Sequence, residues 1–180
     1  NVIQIPAMPG QKAKKQKVTL TKVPGMTVFA PSNYQELQQM MEDTMELTSG
    51  PVAIRWSRGK APHVGHGEVG AGLRARKLCS GDGRVALLGF GQMLAAATDA
   101  AALLAQQGVD CTLYDPRVVQ PLDPAMIDDI AGHDIVVTIE DGLRIGGAGA
   151  GVRDALGERG ANCRIKVLGV PTEYIPHGNP

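Results

Sequence analysis

Two arginines three residues apart, Arg55 and Arg58, close a short apolar run and are followed by Gly59. The run Pro51-Val52-Ala53-Ile54 reads as a buried strand. Arg55, Trp56, Ser57 and Arg58 fall just beyond its carboxyl end, where open α/β sheets place their ligands. A guanidinium stays charged at any working pH and presents a planar fork that matches phosphate or carboxylate oxygens. That chemistry makes Arg58 the candidate site residue, a handle for an anionic substrate. The competing assignment is a plain surface ion pair, which contributes little.

Other constellations stop short of a site. His63 and His66 have i, i+3 spacing, but no cysteine or carboxylate pair nearby completes four ligands, so no metal site is expected. Gly89-Phe90-Gly91 opens a helix after a strand, and Asp115 ends the next strand, as in a dinucleotide fingerprint. Leu94 then stands where the third glycine belongs, which is expected to remove close helix–strand packing. Asp115 precedes Pro116 and Arg117 and is expected to pair with an arginine or cap a turn. Gly146, Gly147, Gly149 and Gly151 surround a helix start that can cradle an anion, but no lysine or serine completes a P-loop, and a packing role fits better. Glu140 and Asp141 are neighbours on a strand and point to opposite faces, so one is expected to cap a helix or loop. His133 and His177 have no nucleophile partner in sequence. Read from these residues, the chain assembles no complete catalytic, cofactor-binding or metal site.

The elements that must position these residues alternate. Met26–Ala30 reads as a strand, Pro31 and Ser32 as a helix entry, and Tyr34–Leu47 as a helix stopped by Ser49 and Gly50. Leu37, Met40, Met41, Met45 and Leu47 form its expected core face. With strand 51–56 this makes a strand–helix–strand unit whose sheet needs further strands from elsewhere. Residues 59–67 read as a linker. Beyond it come an edge strand within 69–78, strand 84–89, helix 92–106, strand 110–114 and a helix through Ala131 with Asp123 as N-cap and Pro124 in its first turn. Strand 134–139, a glycine-rich helix 147–156 and strand 164–168 complete the series. The fold class is therefore α/β, with a doubly wound, mostly parallel sheet.

Composition narrows the function classes. Eighteen basic residues balance eighteen acidic ones and aromatics make up 3%, so neither a nucleic-acid footprint nor a base-stacking platform is present. The run Lys12, Lys14, Lys15, Lys17 and Lys22 reads as a solvated loop or tail. No apolar stretch is long enough for a membrane helix. Cys79, Cys111 and Cys163 are odd in number and lie in or beside apolar strands, as reduced packing thiols of a cytoplasmic protein would.

Blocks in register carry a family resemblance. Pro24-Gly25-Met26, Ala30-Pro31-Ser32 and Gly50-Pro51 leading to Ile54-Arg55-Trp56-Ser57-Arg58-Gly59 resemble the end of the pyrimidine-binding domain of the 1-deoxy-D-xylulose-5-phosphate synthases. The stretch from Val85 to Gly91, Tyr114-Asp115-Pro116-Arg117 through Asp123, Val137 to Gly142, Gly146-Gly147-Ala148-Gly149, Gly169-Val170-Pro171 and Ile175-Pro176-His177-Gly178 are similar to that family's transketolase-type C-terminal domain. The resemblance implies a three-layer α/β/α domain over residues 69–180, a linker at 60–68, an incomplete pyrimidine-binding domain at 23–59 and an unassigned segment 1–22.

The resemblance also implies a chemistry. The family decarboxylates pyruvate and joins the two-carbon unit to D-glyceraldehyde 3-phosphate, giving 1-deoxy-D-xylulose 5-phosphate for isoprenoid, thiamine and pyridoxal synthesis. It does so as a cytoplasmic homodimer with thiamine diphosphate and Mg²⁺. The second arginine of the family's Arg-Tyr-Pro-Arg-Gly motif contacts the aldehyde's phosphate and aligns with Arg58, while Arg55 is structural; Trp56 and Ser57 replace Tyr-Pro here. The family's diphosphate and metal motif, activating glutamate, histidines and second substrate arginine have no match in this chain, and neither does its final helix. The chain is thus expected to be a fragment, inactive alone, with no catalytic or cofactor-binding residue of its own. Two alternatives remain: a transketolase or 2-oxo acid dehydrogenase beta subunit of the same C-terminal fold, and a stand-alone dimerisation or anion-binding module.

Overall fold

The computed structural model describes residues 2–4, 15–17, 20–47, 49–56 and 61–173. Alternating apolar residues explain the larger sheet. In β6 (Val85–Gly89), Ala86 and Leu88 face one side and Val85 and Leu87 the other. Ala86 and Leu88 pack with Met126, Ile127 and Ile130 of α3 (Pro124–Ile130) and Val152 and Leu156 of α4 (Ala148–Glu158). Leu87 packs with Ala97 of α2 (Met93–Ala105) and with Cys111 and Leu113 of β7 (Cys111–Asp115). Helices on both faces make three layers, each buried Leu, Ile or Val contributing about 2 kcal/mol.

β9 (Ile135–Leu143) and β10 (Arg164–Val170) complete the parallel core with β6 and β7, and β5 (Arg76–Cys79) adds an antiparallel edge. The order is β10-β9-β6-β7-β5. The expected α/β class with a mostly parallel sheet is what the chain adopts. The edge strand of 69–78 is shorter than its sequence pattern, because Gly70 and Ala75 give their N–H groups to the carboxylates of Glu36 and Asp123 rather than to a ladder. Asp123 caps α3 through Ala125 N, with Pro124 in the first turn, as the sequence indicates.

The N-terminal part carries a second, smaller sheet. β3 (Thr27–Phe29) and β4 (Val52–Ile54) are parallel and joined by α1 (Tyr34–Glu46). The missing strand comes from the other half of the chain: β8 (Val118–Gln120), unrecognised in the sequence, pairs antiparallel with the free edge of β3. Three residues of strand are too short a pattern to read.

The helix entry at Pro31 and Ser32 leads directly into α1, which Asn33 caps, its side chain accepting from Glu36 N at 2.8 Å. Two expectations for this part need correction. The methionine face is only half core: Met40 is fully buried, whereas Met41 and Met45 are 58% and 83% exposed. Met41 and Met45 lie on the side of α1 turned away from the Glu36–Met40 stripe that meets the sheet, and nothing covers that side among the described residues. The basic N-terminal stretch is not simply a tail, since β1 (Val2–Gln4) and β2 (Lys15–Lys17) pair antiparallel.

Candidate functional site

β4 delivers Arg55 to the carboxyl end of the small sheet, its N–H donating to Phe29 O at 2.9 Å. There the side chain reaches across to the large sheet. Arg55 Nη1 donates to Asp141 Oδ1 at 2.6 Å, and Gln92 Nε2, at the start of α2, donates to Asp141 Oδ2 at 2.7 Å. Arg55 is about half exposed and Asp141 about one-fifth. Both carboxylate oxygens of Asp141 are thus engaged, and Arg55 is turned toward a protein carboxylate rather than left open for a ligand. Arg58, with Ser57, Gly59 and Lys60, lies outside the described residues.

Two clefts flank this strand end, and Trp56, 61% exposed, lines both. The larger, about 910 Å³, runs between Ser32, Asn33 and Tyr34 on one side and Arg76, Gln92 and Thr98 on the other. The smaller, about 610 Å³, has Val28, Ala30 and Ala53 as its floor and Glu140, Asp141 and Ile145 among its walls. This is the position that open α/β sheets reserve for ligands.

The glycine-rich start of α4 is already filled. Glu140 Oε2 accepts from Ala148 N at 2.9 Å and Oε1 from Gly149 N at 2.8 Å. The chain's own carboxylate therefore occupies the place where an external anion would sit. Burial pushes the Glu140 carboxyl up, and the two N–H donors pull it back. Glu140 turns to α4 and Asp141 to Arg55, as their alternation on the strand requires. The glycines serve packing: a Cβ on Gly149 would meet Thr138 Oγ1 and, at 2.7 Å, Val167 Cγ1.

The dinucleotide-like features resolve differently from expectation in one respect. Close helix–strand packing is present despite Leu94, because Gly89 itself provides it, a Cβ there falling 2.6 Å from Leu94 Cα. Asp115 is wholly buried, accepting from Ser32 Oγ at 2.6 Å and Arg117 N at 3.0 Å, so no ribose can reach it. The turn-capping half of its expected role is met, while the guanidinium of Arg117 goes elsewhere, to Glu36 Oε2 at 2.6 Å.

The histidines divide. His133 is a satisfied interior residue, with Nε2 2.9 Å from Thr112 Oγ1 and Nδ1 3.2 Å from Asp129 O. His63 Nδ1 lies 3.1 Å from Gln35 Nε2 and its ring rests 5.2 Å from that of Tyr34. His177 lies outside the described residues. Of the thiols, Cys111 is buried as expected, whereas Cys79 is exposed on the edge strand.

Thiamine diphosphate, which the family resemblance implies, needs donors for its diphosphate and divalent ion. Among the described residues no group of His, Cys, Asp and Glu is placed to hold a metal ion. The one glycine-rich helix start is occupied by Glu140. These residues do not fit the cofactor's diphosphate end. No described helix is long and apolar enough to cross a membrane.

Known proteins match in the same places. Residues 74–180 match the family model of the transketolase C-terminal domain. The chain is 39% identical over 169 residues to a 1-deoxy-D-xylulose-5-phosphate synthase of Magnetococcus marinus, covering 88% of this chain and 26% of that protein. It is 38% identical over 165 residues to the protein so named in Pseudomonas aeruginosa, covering 88% and 25%. The chain thus spans about a quarter of the length of these curated relatives. Among solved structures it is similar to one described as "Split gene transketolase, inactive beta4 tetramer", with TM-score 0.80 and 27% identity over 87% of this chain and 52% of that one. A transketolase of Campylobacter jejuni, 18% identical with TM-score 0.55 over 82% of this chain and 22% of that one, shares the fold. With the family model matching more than half of its residues, the chain belongs to the transketolase C-terminal domain family.

Proposed function

We propose that this chain is a C-terminal portion of a 1-deoxy-D-xylulose-5-phosphate synthase, in which Arg58 holds the phosphate of D-glyceraldehyde 3-phosphate. The observation that carries the reading is the alignment of relatives bearing that name over 88% of the chain. It is joined by the Arg55-Trp56-Ser57-Arg58-Gly59 block at the end of a strand. Residues 23–59 would be the end of a pyrimidine-binding domain, 60–68 a linker and 69–180 the transketolase-type domain.

On this reading the reaction joins a two-carbon unit from pyruvate to the aldehyde with loss of carbon dioxide, in a cytoplasmic homodimer. Thiamine diphosphate and Mg²⁺ supply the carbanion chemistry and are held by sequence other than this chain. The chain's own contribution is one phosphate-binding arginine and a rigid α/β platform behind it. The test is an assay of the full-length protein with pyruvate and glyceraldehyde 3-phosphate, set against ketose phosphates and lipoyl acceptors. Turnover of the first pair alone supports the reading, and turnover only of a ketose phosphate or a lipoyl acceptor replaces it. Calorimetry of this chain alone with thiamine diphosphate should give no binding heat, whereas a tight 1:1 complex would place the cofactor site within it.

A further inference from the structure

Asp115 ends β7 with no exposed surface, at the seam between the two sheets. Ser32, just before α1, donates to its Oδ2 at 2.6 Å, and Arg117 N donates to its Oδ1 at 3.0 Å. Asn33 Nδ2 in turn donates to Ser32 Oγ at 3.3 Å. The charged groups facing Asp115 come from α1, β5 and the turn after β7. Glu36 stands on α1 with Asp43 beyond it, Arg117 follows in the turn, and Arg76 is its cross-strand partner on β5. On the β6 side, Leu88, Gly89 and Phe90 carry no charge.

Arg117 Nε lies 2.6 Å from Glu36 Oε2, its Nη2 3.4 Å from Asp43 Oδ2, and Arg76 Nη1 3.6 Å from Glu36 Oε1. With Asp115 protonated, two carboxylates meet two guanidinium groups. With Asp115 ionised, a third carboxylate is added, and among the described residues no third cation pairs with the cluster. We infer that Ser32, Asp115, Arg117 and Glu36 form a latch that holds the N-terminal part of the chain on the five-stranded sheet, and that loss of the Asp115 proton loosens it.

Burial and the neighbouring Glu36 charge outweigh the two hydrogen-bond donors, Ser32 Oγ and Arg117 N, that favour the ionised form. Burial pushes the Asp115 carboxyl from 3.8 up to about 6; the Ser32 hydroxyl opposes this and the Glu36 charge adds to it. The value is raised in the closed state, so the hold is greatest when Asp115 is protonated and is lost as pH rises through about 6. If opening returns Asp115 to water, the open population grows about tenfold between pH 5 and pH 8.

The latch is crossed by two backbone donors, Ala30 N to Arg117 O at 2.8 Å and Gly70 N to Glu36 Oε1 at 2.8 Å. Site-resolved amide exchange by NMR, corrected for the intrinsic pH dependence, therefore reads it directly. Exchange at Ala30 and Gly70 should speed about tenfold from pH 5 to pH 8, while Val152 within α4 stays flat. In Asp115→Asn the slope at Ala30 and Gly70 should vanish. A flat profile in the native chain, an unchanged slope in Asp115→Asn, or an equal slope at Val152 would each overturn the latch. Should Asp115→Asn not fold, Ser32→Ala decides: removing a donor to the charged form must move the exchange midpoint to higher pH, and an unmoved midpoint overturns the inference.

Discussion

Arg117 and Glu36, separated by 81 residues, meet at 2.6 Å with both side chains fully buried. Arg117 spends its remaining donors on Gly72 O at 2.9 Å, Arg74 O at 3.0 Å and Asp43 Oδ2 at 3.4 Å. Its backbone carries φ 58°, a left-handed conformation that costs a non-glycine residue about 1 kcal/mol or more. The surroundings hold it there. Asp115 accepts its N–H and its O accepts from Ala30 N. Gly70 leaves room for the guanidinium, since a Cβ there would sit 2.5 Å from Arg117 Nε. One side chain thus joins α1, the segment before β5 and the β7–β8 turn.

Breaking that pair on one side should be costly. Arg117→Met leaves Glu36 buried against a single distant arginine, Arg76 at 3.6 Å, and Glu36→Gln leaves Arg117 partly unpaired. Each should lose about 3–5 kcal/mol in urea unfolding. The double variant should lose clearly less than the sum, because no lone charge remains. Additive losses would mean that the two side chains act independently.

The glycines of α4 predict opposite outcomes two positions apart. Gly149→Ala drives a methyl into Thr138 and Val167 on the sheet, and should cost about 1–3 kcal/mol. Gly151→Ala meets only Leu122 Cδ1 at 3.9 Å, an ordinary contact, and should gain up to about 1 kcal/mol from helix propensity. Thermal melts of the two variants side by side test the packing role. Equal effects would show that Gly149 is there for some reason other than the close approach.

Much of this was legible because local pattern and tertiary structure agree. Ala86 to Leu88, Asp123-Pro124 and the helix at 148–158 are written in periodicity and capping chemistry. β8 was not, since three residues after a proline carry no period and their pairing with β3 depends on sequence some ninety residues away. Glu36 was not either: it sits at a core position of α1, which binary patterning assigns to an apolar residue, and only the distant Arg117 makes its burial tolerable. Of the strand-end site, Arg55 could be placed after a strand, although β4 is half-buried and not buried as its apolar run suggests; its hold on Asp141 and Gln92 joins three elements and leaves no spacing in the sequence. The Asp115-Pro116-Arg117 block is the available clue to the junction, since its sequence suggests an arginine pair or a turn cap, but nothing local points to Glu36 as the guanidinium's partner.

Thiol reactivity should separate the cysteines by burial. Cys79 is exposed, with Sγ donating to Cys111 O at 3.2 Å, while Cys111 is buried and its thiol is pushed up by that burial, with Cys79 and Asp82 adding to it. Iodoacetamide at pH 8 followed by peptide mass spectrometry should find Cys79 labelled early and Cys111 labelled only after unfolding. Native labelling of Cys111 as fast as Cys79 would show that β7 opens far more readily than its ladder with β6 implies.

The two strand-end arginines offer a contrast within one tripeptide step. Arg55 is committed to Asp141 at 2.6 Å in a half-exposed pair, and such pairs contribute about 0–1 kcal/mol, so Arg55→Ala in the full-length protein should change kcat/KM by less than about fivefold. Arg58, on the proposed reading, meets a phosphate dianion, and losing a charged hydrogen-bonding partner costs about 1.5–3 kcal/mol. Arg58→Ala should therefore lower kcat/KM for glyceraldehyde 3-phosphate about 10- to 150-fold, with KM for pyruvate nearly unmoved. Arg58→Lys should fall between, keeping the charge but not the planar fork. Steady-state kinetics with each substrate varied in turn make the comparison. An Arg58→Ala enzyme with unchanged aldehyde kinetics, or an Arg55→Ala enzyme with the larger defect, would remove the phosphate from Arg58.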